Sequence, residues 1–118
     1  MKNDNLIENI SFDFAVRIVN LYKYLLKTHH EGNISKQVLR SGTSIGANVH
    51  EANNAQGKRD FIAKMYIAYK EASETEYWIK LLTETDYFTD AEGKSLLADC
   101  IELKQILTAI LRSAKNSV

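Results

Sequence analysis

Proline is absent from this chain of 118 residues, and only five residues are glycine. Both residues interrupt helices and form turns, so their scarcity favours long uninterrupted helices over a turn-rich β architecture. Hydrophobic residues make up 45% of the chain, a content that excludes an intrinsically disordered protein. The length suffices for one buried core but not for two, which predicts a single domain over residues 1–118.

The residue patterns of common catalytic sites are also missing. Cys100 is the only cysteine, which excludes an intramolecular disulfide and a cysteine-rich zinc site, and its apolar neighbours predict a buried, unreactive thiol. No Glu-x-x-His pair of a di-iron bundle occurs, and His50-Glu51 lacks the second histidine of a zinc hydrolase motif. We therefore expect no catalytic residues, no metal and no cofactor, and a protein that is not an enzyme.

Net charge is absent as well, because fifteen basic residues balance fifteen acidic ones. This balance excludes the overall basic excess of a DNA-coating protein, although it leaves room for a local basic patch. No apolar run approaches the roughly 20 residues of a membrane span or resembles a signal peptide. We expect no membrane association and a cytoplasmic location.

Apolar residues recur at three- and four-residue steps and predict four helices, over about 11–29, 33–55, 58–85 and 89–114. Ser11 is the predicted N-cap of the first helix, and Asn33 or Ser35 that of the second. Thr89 and Glu92 match a capping box at the start of the fourth. Short connections between long helices imply antiparallel neighbours, so we predict an all-α, up-down-up-down four-helix bundle.

The first predicted helix carries two apolar stripes, although a helix of a monomeric bundle needs only one. The core stripe is Ile10, Phe14, Ile18, Leu21 and Leu25, and the second stripe is Phe12, Val16, Val19, Tyr22 and Leu26. The excess apolar surface predicts burial between subunits, and hence self-association.

The segment RSGTSIGANVHE, residues 40–51, combines two glycines with a row of polar residues. Gly42 and Gly46 each cost a helix roughly 1 kcal/mol relative to alanine, so we expect another helix to approach this backbone closely. Arg40, Ser44, Asn48 and Glu51 recur on one side of the same helix and form a polar ladder. The ladder has two interpretations, a contact with RNA or a set of pairings with Glu74 or Glu76 across a helix interface; its position beside the glycines favours the second.

The order of these residues resembles the four helix bundle protein family, also called the 23S ribosomal RNA intervening-sequence proteins. The family pattern runs Arg-x-x-x-Ser-Ile-x-x-Asn-(Ile/Val)-x-Glu, then Glu/Asp-Phe, Tyr-Ile-Ala, Glu-x-Glu and Gly-Tyr-Leu. The matching residues here are Arg40, Ser44, Ile45, Asn48, Val49, Glu51, Asp60, Phe61, Tyr66, Ile67, Ala68, Glu74 and Glu76, and Asp86, Tyr87 and Phe88 stand at the closing turn. The resemblance implies a homopentamer linked to structured RNA, and related accessory proteins bind nucleic acid and a reverse transcriptase.

Basic residues are concentrated between Asn33 and Lys64, where five face only two acids, whereas three lysines face eight acids from Met65 to Asp99. The candidate nucleic-acid-binding residues are Lys36, Arg40, Lys58 and Arg59, which a closed ring would repeat as a basic belt. An ordinary solvated surface is the alternative. Four aromatic residues of the third helix are candidates either for base stacking or for the core, namely Tyr66, Tyr69, Tyr77 and Trp78.

Two functional hypotheses follow from the sequence. The first is a non-catalytic, homopentameric bundle that associates with RNA through the basic belt. The alternative is a protein-protein interaction scaffold that binds no nucleic acid, for which the acidic stretch from Met65 to Asp99 offers a docking region.

Overall fold

The computed structural model describes residues 2–116 and contains four α-helices joined by short connections. They are α1 (Lys2–His29), α2 (Asn33–Asn53), α3 (Lys58–Glu84) and α4 (Asp90–Asn116), and no strand occurs in this part of the chain. Each helix packs against its neighbour in sequence, and α1 also packs against α4. The predicted all-α fold of four packed helices is confirmed. Over the same residues, no helix is long and apolar enough to cross a membrane.

All four helices contribute to one hydrophobic core, as their apolar stripes predict. Its fully buried side chains include Phe14, Ile18, Leu25, Val38, Ile45, Val49, Met65, Ile79, Leu82, Leu103 and Leu107. Cys100 is buried among them. Burial of this apolar surface is the main favourable contribution to folding.

The two glycines of α2 allow α1 to approach closely. A Cβ atom added to Gly42 would lie 2.8 Å from Cγ1 of Ile18, and one added to Gly46 would lie 3.2 Å from the carbonyl oxygen of Ser11. The expected close neighbour is therefore α1 of the same chain.

The prediction that Ser11 caps the first helix is wrong, because α1 begins at Lys2. Ser11 lies buried inside α1, and its hydroxyl donates a hydrogen bond to the carbonyl oxygen of Glu8 at 3.2 Å. Ile7 is fully buried and extends the core stripe beyond Ser11. This tertiary packing outweighs the low helix propensity of the polar residues near the start of the chain.

The predicted caps of α2 are also wrong, because Gly32 occupies the N-cap position and neither Asn33 nor Ser35 caps the helix. Instead the carboxylate of Glu31 accepts hydrogen bonds from the backbone N–H groups of Asn33, Ile34 and Ser35, at 3.0, 2.7 and 3.2 Å. The glutamate is long enough to reach across Gly32 to the helix end.

The predicted capping box of α4 is confirmed. The N–H of Thr89 donates to the carboxylate of Glu92 at 3.1 Å, and the N–H of Glu92 donates to the hydroxyl of Thr89 at 3.2 Å. These two bonds satisfy backbone donors that the first turn leaves free.

Candidate nucleic-acid interface

Arg40 lies where α2 faces α3, and two carboxylates of α3 hold its guanidinium group. Nη1 lies 3.4 Å from Oε1 of Glu71, and Nη2 pairs with Glu74. Glu74 also accepts a hydrogen bond from the indole N–H of Trp78 at 2.9 Å. The charge of Arg40 is thus balanced within the fold, and this geometry supports the structural interpretation of the polar ladder over a contact with RNA.

The other ladder residues on α2 also make contacts within the bundle. The hydroxyl of Ser44 donates to the carbonyl oxygen of Arg40 at 2.6 Å, and the amide of Asn48 donates to that of Ser44 at 2.8 Å. Glu51 pairs with Lys64 of α3 at 3.1 Å and not with another glutamate, because two ionised carboxylates repel each other whereas Lys64 carries the opposite charge.

Of the two glutamates predicted as partners of the ladder, Glu74 pairs with Arg40, whereas Glu76 does not contact the ladder. Glu76 follows Glu74 by two residues, which turns its side chain by about 200° around α3, towards α4. There it pairs with Lys104 at 2.8 Å and with Lys80 at 3.0 Å. Hydrogen bonds from Lys104 and then Lys80 lower the pKa of Glu76, and the bond to Glu76 raises the pKa of Lys104.

The four predicted basic residues do not form one patch on a single chain. Lys36 lies in the first turns of α2, whereas Lys58 and Arg59 begin α3, beyond the other end of α2. The 21 residues of α2 span roughly 30 Å at a rise of about 1.5 Å each. Arg40 lies between the two groups and is held by Glu71 and Glu74.

A second group of basic residues lies on the outer surface between α3 and α4. We call this surface the α3–α4 face and define it by the residues that line its two grooves or contact them. These are Tyr66, Tyr69, Lys70, Glu76, Lys80, Ile101, Lys104, Gln105, Thr108, Leu111, Arg112, Lys115 and Asn116. Five members of this set are basic and one is acidic, so the surface has a positive charge that the neutral composition of the chain conceals.

Sequence reasoning missed Arg112 and Lys115, because they are far from the other candidate residues in the chain. Their spacing from Thr108, at steps of four and three residues, was the available signal that they share one side of α4. The packing of α4 on α3 places them in one groove with Tyr66.

The groove between the early part of α3 and the last turns of α4 combines aromatic and basic side chains. It has a volume of about 330 Å³ and is lined by Tyr66, Tyr69, Thr108, Leu111, Arg112, Lys115 and Asn116. The rings of Tyr66 and Tyr69 are nearly parallel, with centroids 6.4 Å apart and planes 15° apart. Nζ of Lys70 lies 6.0 Å from the ring centroid of Tyr66. Tyr66 is 50% exposed and is not a core residue.

The opposite surface, between α1 and α2, is apolar and exposed. This α1–α2 face is defined by Phe12 and Val16 together with a groove lined by Glu8, Phe12, Ala15, Thr43, Gly46, Ala47 and His50. Phe12 is 67% exposed and Val16 47%. Glu8 lies 2.7 Å from Nδ1 of His50, and hydrogen bonds from His50 and Asn53 lower the pKa of Glu8. The second apolar stripe of the first helix is thus largely unpacked in one chain.

Cys100 is held in the core, where its thiol donates to the carbonyl oxygen of Ala72 at 3.2 Å. Burial raises its pKa to about 12, so the nucleophilic thiolate is scarcely populated near neutral pH. Among residues 2–116, no three His, Cys, Asp or Glu side chains converge in a way that could hold a metal ion.

Comparison with known proteins agrees with the fold and with the sequence resemblance. The family model of the 23S rRNA-intervening sequence protein matches residues 3–109. A solved structure from Bacteroides thetaiotaomicron VPI-5482, described as a protein with unknown function from the S23 ribosomal protein family, is similar at 51% identity and a TM-score of 0.92. The match covers 93% of this chain and 98% of that one. No curated protein matches the chain significantly. The predicted resemblance is confirmed, and the chain belongs to the 23S rRNA-intervening sequence protein family.

Proposed function

We propose that this chain is a non-catalytic, cytoplasmic RNA-binding protein that assembles as a homopentamer. In this proposal each subunit is an antiparallel, up-down-up-down bundle. Pairs of contacts that run in opposite directions along neighbouring helices support that arrangement. Ser11 and Ile18 of α1 approach Gly46 and Gly42 of α2 in reverse order. In the same way, Arg40 and Glu51 of α2 pair with Glu74 and Lys64 of α3. The pentamer follows from the family resemblance.

The proposal of RNA binding rests mainly on the positive charge of the α3–α4 face. Lys104 and Lys80 share the carboxylate of Glu76. By contrast, Arg112 and Lys115 form no ion pair with any residue in the described range 2–116. Unbalanced cations on one surface attract the phosphates of RNA and release its bound counterions.

The predicted candidates Lys58 and Arg59 lie at the same end of the bundle as this pair. They are the first two residues of α3, and the groove joins Tyr66 in the early part of α3 to Arg112 and Lys115 near the end of α4. We therefore assign the RNA-binding surface to this end and to the α3–α4 face. Lys36, towards the other end of α2, is the candidate that this assignment leaves aside.

Self-assembly is supported by the exposed α1–α2 face. Burial of Phe12 and Val16 against another copy would remove apolar surface from water, which is the main driving force of protein association. A closed ring repeats the basic surface of each subunit around one axis, which multiplies its attraction for a polyanion.

The test is a titration of the full chain with fluorescently labelled structured RNA at increasing salt concentrations, read by anisotropy. We expect affinity to fall steeply with salt. The double variant Arg112→Gln with Lys115→Gln should bind more weakly and reduce the slope of log K against log salt by about 1.4–1.8. The matched control is Lys36→Gln with Lys94→Gln, two exposed lysines outside both the assigned RNA-binding surface and the α1–α2 face. No binding at low salt, or equal losses in both double variants, would contradict the assignment.

The second candidate is a protein-protein interaction scaffold, whose partner would be a protein such as a reverse transcriptase. The exposed α1–α2 face favours it, because another protein could cover Phe12 and Val16 as well as a second copy could. A chain that stays monomeric in solution and binds no RNA would favour this function over the first.

A further inference from the structure

We propose that the groove of the α3–α4 face binds an unpaired base of single-stranded RNA. In this inference Tyr66 stacks on the base, and Arg112 and Lys115 contact the adjoining phosphates. The inference rests on the proposed RNA-binding function and specifies which form of RNA the surface selects.

Of the two rings in the groove, that of Tyr66 is exposed, whereas that of Tyr69 is half-buried and packs against the core. Tyr66 leaves half of its surface accessible, and its ring is nearly parallel to that of Tyr69. Paired rings at the surface offer flat apolar area that a base can cover without hydrogen-bond matching. The groove volume of about 330 Å³ lies at the lower end of small-molecule clefts, about 300–1,000 Å³, and is of the right order for one nucleotide.

The charges around the groove fit a ligand that is apolar in one part and anionic in another. Arg112 and Lys115 line the groove and form no ion pair with residues 2–116, while Lys70 contributes a further cation beside Tyr66. A nucleotide combines a flat base with a phosphate in this way. A guanidinium group and an ammonium group are the side chains that most often contact RNA phosphates.

Two competing occupants fit less well. The faces of the bases in a duplex are covered by their neighbours, so stacking on Tyr66 requires a base that is not stacked in a helix. A second copy would present the α1–α2 face, whose carboxylate, Glu8, is already paired with His50 and Asn53. The one carboxylate of that face thus already has hydrogen-bond partners within its own subunit.

The experiment compares three labelled probes of one length and sequence context: a single strand, the same strand with abasic positions, and the corresponding duplex. We expect the single strand to bind most tightly. Tyr66→Leu should weaken its binding roughly tenfold while leaving the abasic strand unchanged, and Tyr66→Phe should retain binding. Arg112→Gln should weaken the intact and the abasic strand alike.

The matched control is Tyr77→Leu, which removes a 60% exposed tyrosine of the same helix that does not line the groove. Equal binding of intact and abasic strands, with no effect of Tyr66→Leu, would overturn the inference and leave general RNA binding intact. Absence of binding to every probe would overturn both. A changed assembly mass for Tyr66→Leu would identify the groove as an interface between copies and would also overturn it.

Discussion

Asp86 lies two residues beyond the end of α3 and has its backbone in the left-handed region, at φ 65°. The N–H of Asp86 donates to the carbonyl oxygen of Thr83, and that of Tyr87 donates to Leu82, both at 3.2 Å. These are the two hydrogen bonds of a Schellman motif, in which glycine is the usual left-handed residue. A side chain here brings Cβ close to the following carbonyl oxygen, a contact that glycine lacks. Asp86 therefore carries a backbone strain that glycine would relieve.

Asp86→Gly should therefore stabilise the chain by about 0.5–1 kcal/mol, because relief of the Cβ contact exceeds the extra backbone entropy of glycine in the unfolded state. Urea denaturation followed by circular dichroism measures the change. The control is Asp86→Ala, which removes the same charge but keeps Cβ, and it should give no gain. A stability of the glycine variant equal to that of the alanine variant would show that Asp86 is not strained.

Single residues also show where sequence reasoning reaches its limit. Two glycines in α2 predict that another helix comes close, and the structure places α1 there through Ile18 and Ser11. The sequence could not name that helix, since the partner depends on how the chain folds back. The sequence also could not show that the side chain of Glu76 faces α4, because its partner Lys104 lies on that separate helix.

The start of α2 depends on a residue that lies outside the helix. One carboxylate, that of Glu31, serves three backbone N–H groups and also places a negative charge at the positive end of the helix dipole. Because Gly32 has no side chain, α2 has no other side-chain cap at this position. The first turn of α2 therefore depends on the side chain of Glu31.

Glu31→Ala should destabilise the chain by about 1–2 kcal/mol, as the loss of a charged helix cap does. The matched control is Glu102→Ala, which removes an exposed glutamate from the middle of α4 and should change stability by less than about 0.5 kcal/mol. Denaturant midpoints at constant slope measure both variants. Equal effects of the two substitutions would show that the hydrogen bonds of Glu31 contribute nothing measurable.

The four helices themselves were largely predictable, and their starting points were predictable only where the signal is local. Thr89 and Glu92 form a reciprocal pair within one turn, so their sequence spacing is sufficient to locate the start of α4. Ser11 has the chemistry of a cap but lies inside α1, where packing of Ile7 extends the helix. Glu31 is not a preferred cap residue, and only the actual path of the chain brings it to α2.

At the scale of the whole molecule, folding separates charges that are mixed in the sequence. The stretch from Met65 to Asp99 is acidic, yet Glu71 and Glu74 turn towards α2 and hold Arg40 there. Lys80 of the same stretch turns towards Glu76, on the α4 side of α3, and Lys70 lies beside the ring of Tyr66. Packing of α4 then adds Arg112 and Lys115 to them. A linear count of charges could not predict this surface, because it depends on helix rotation and on which helices are neighbours.

Self-assembly can be tested by substituting a residue of the α1–α2 face and measuring the mass of the particle in solution. We expect light scattering of the wild-type chain to give five times the 13.4 kDa mass of one chain. Val16→Glu places a charge in the apolar contact, so it should shift the mass towards that of the monomer while leaving helicity unchanged. Ala98→Glu adds the same charge at an exposed position of α4, away from the α1–α2 face; it is the control and should keep the wild-type mass.

A stable wild-type monomer would show that the second apolar stripe of α1 has another partner. An unchanged mass for Val16→Glu would place the contact between copies elsewhere. Because the α3–α4 face lies on the other side of the bundle, loss of assembly through Val16 should leave the RNA affinity of each single subunit intact. It should remove only the gain that a ring of repeated basic surfaces provides. The RNA affinity of the Val16→Glu monomer therefore separates the contribution of the groove from that of the assembly.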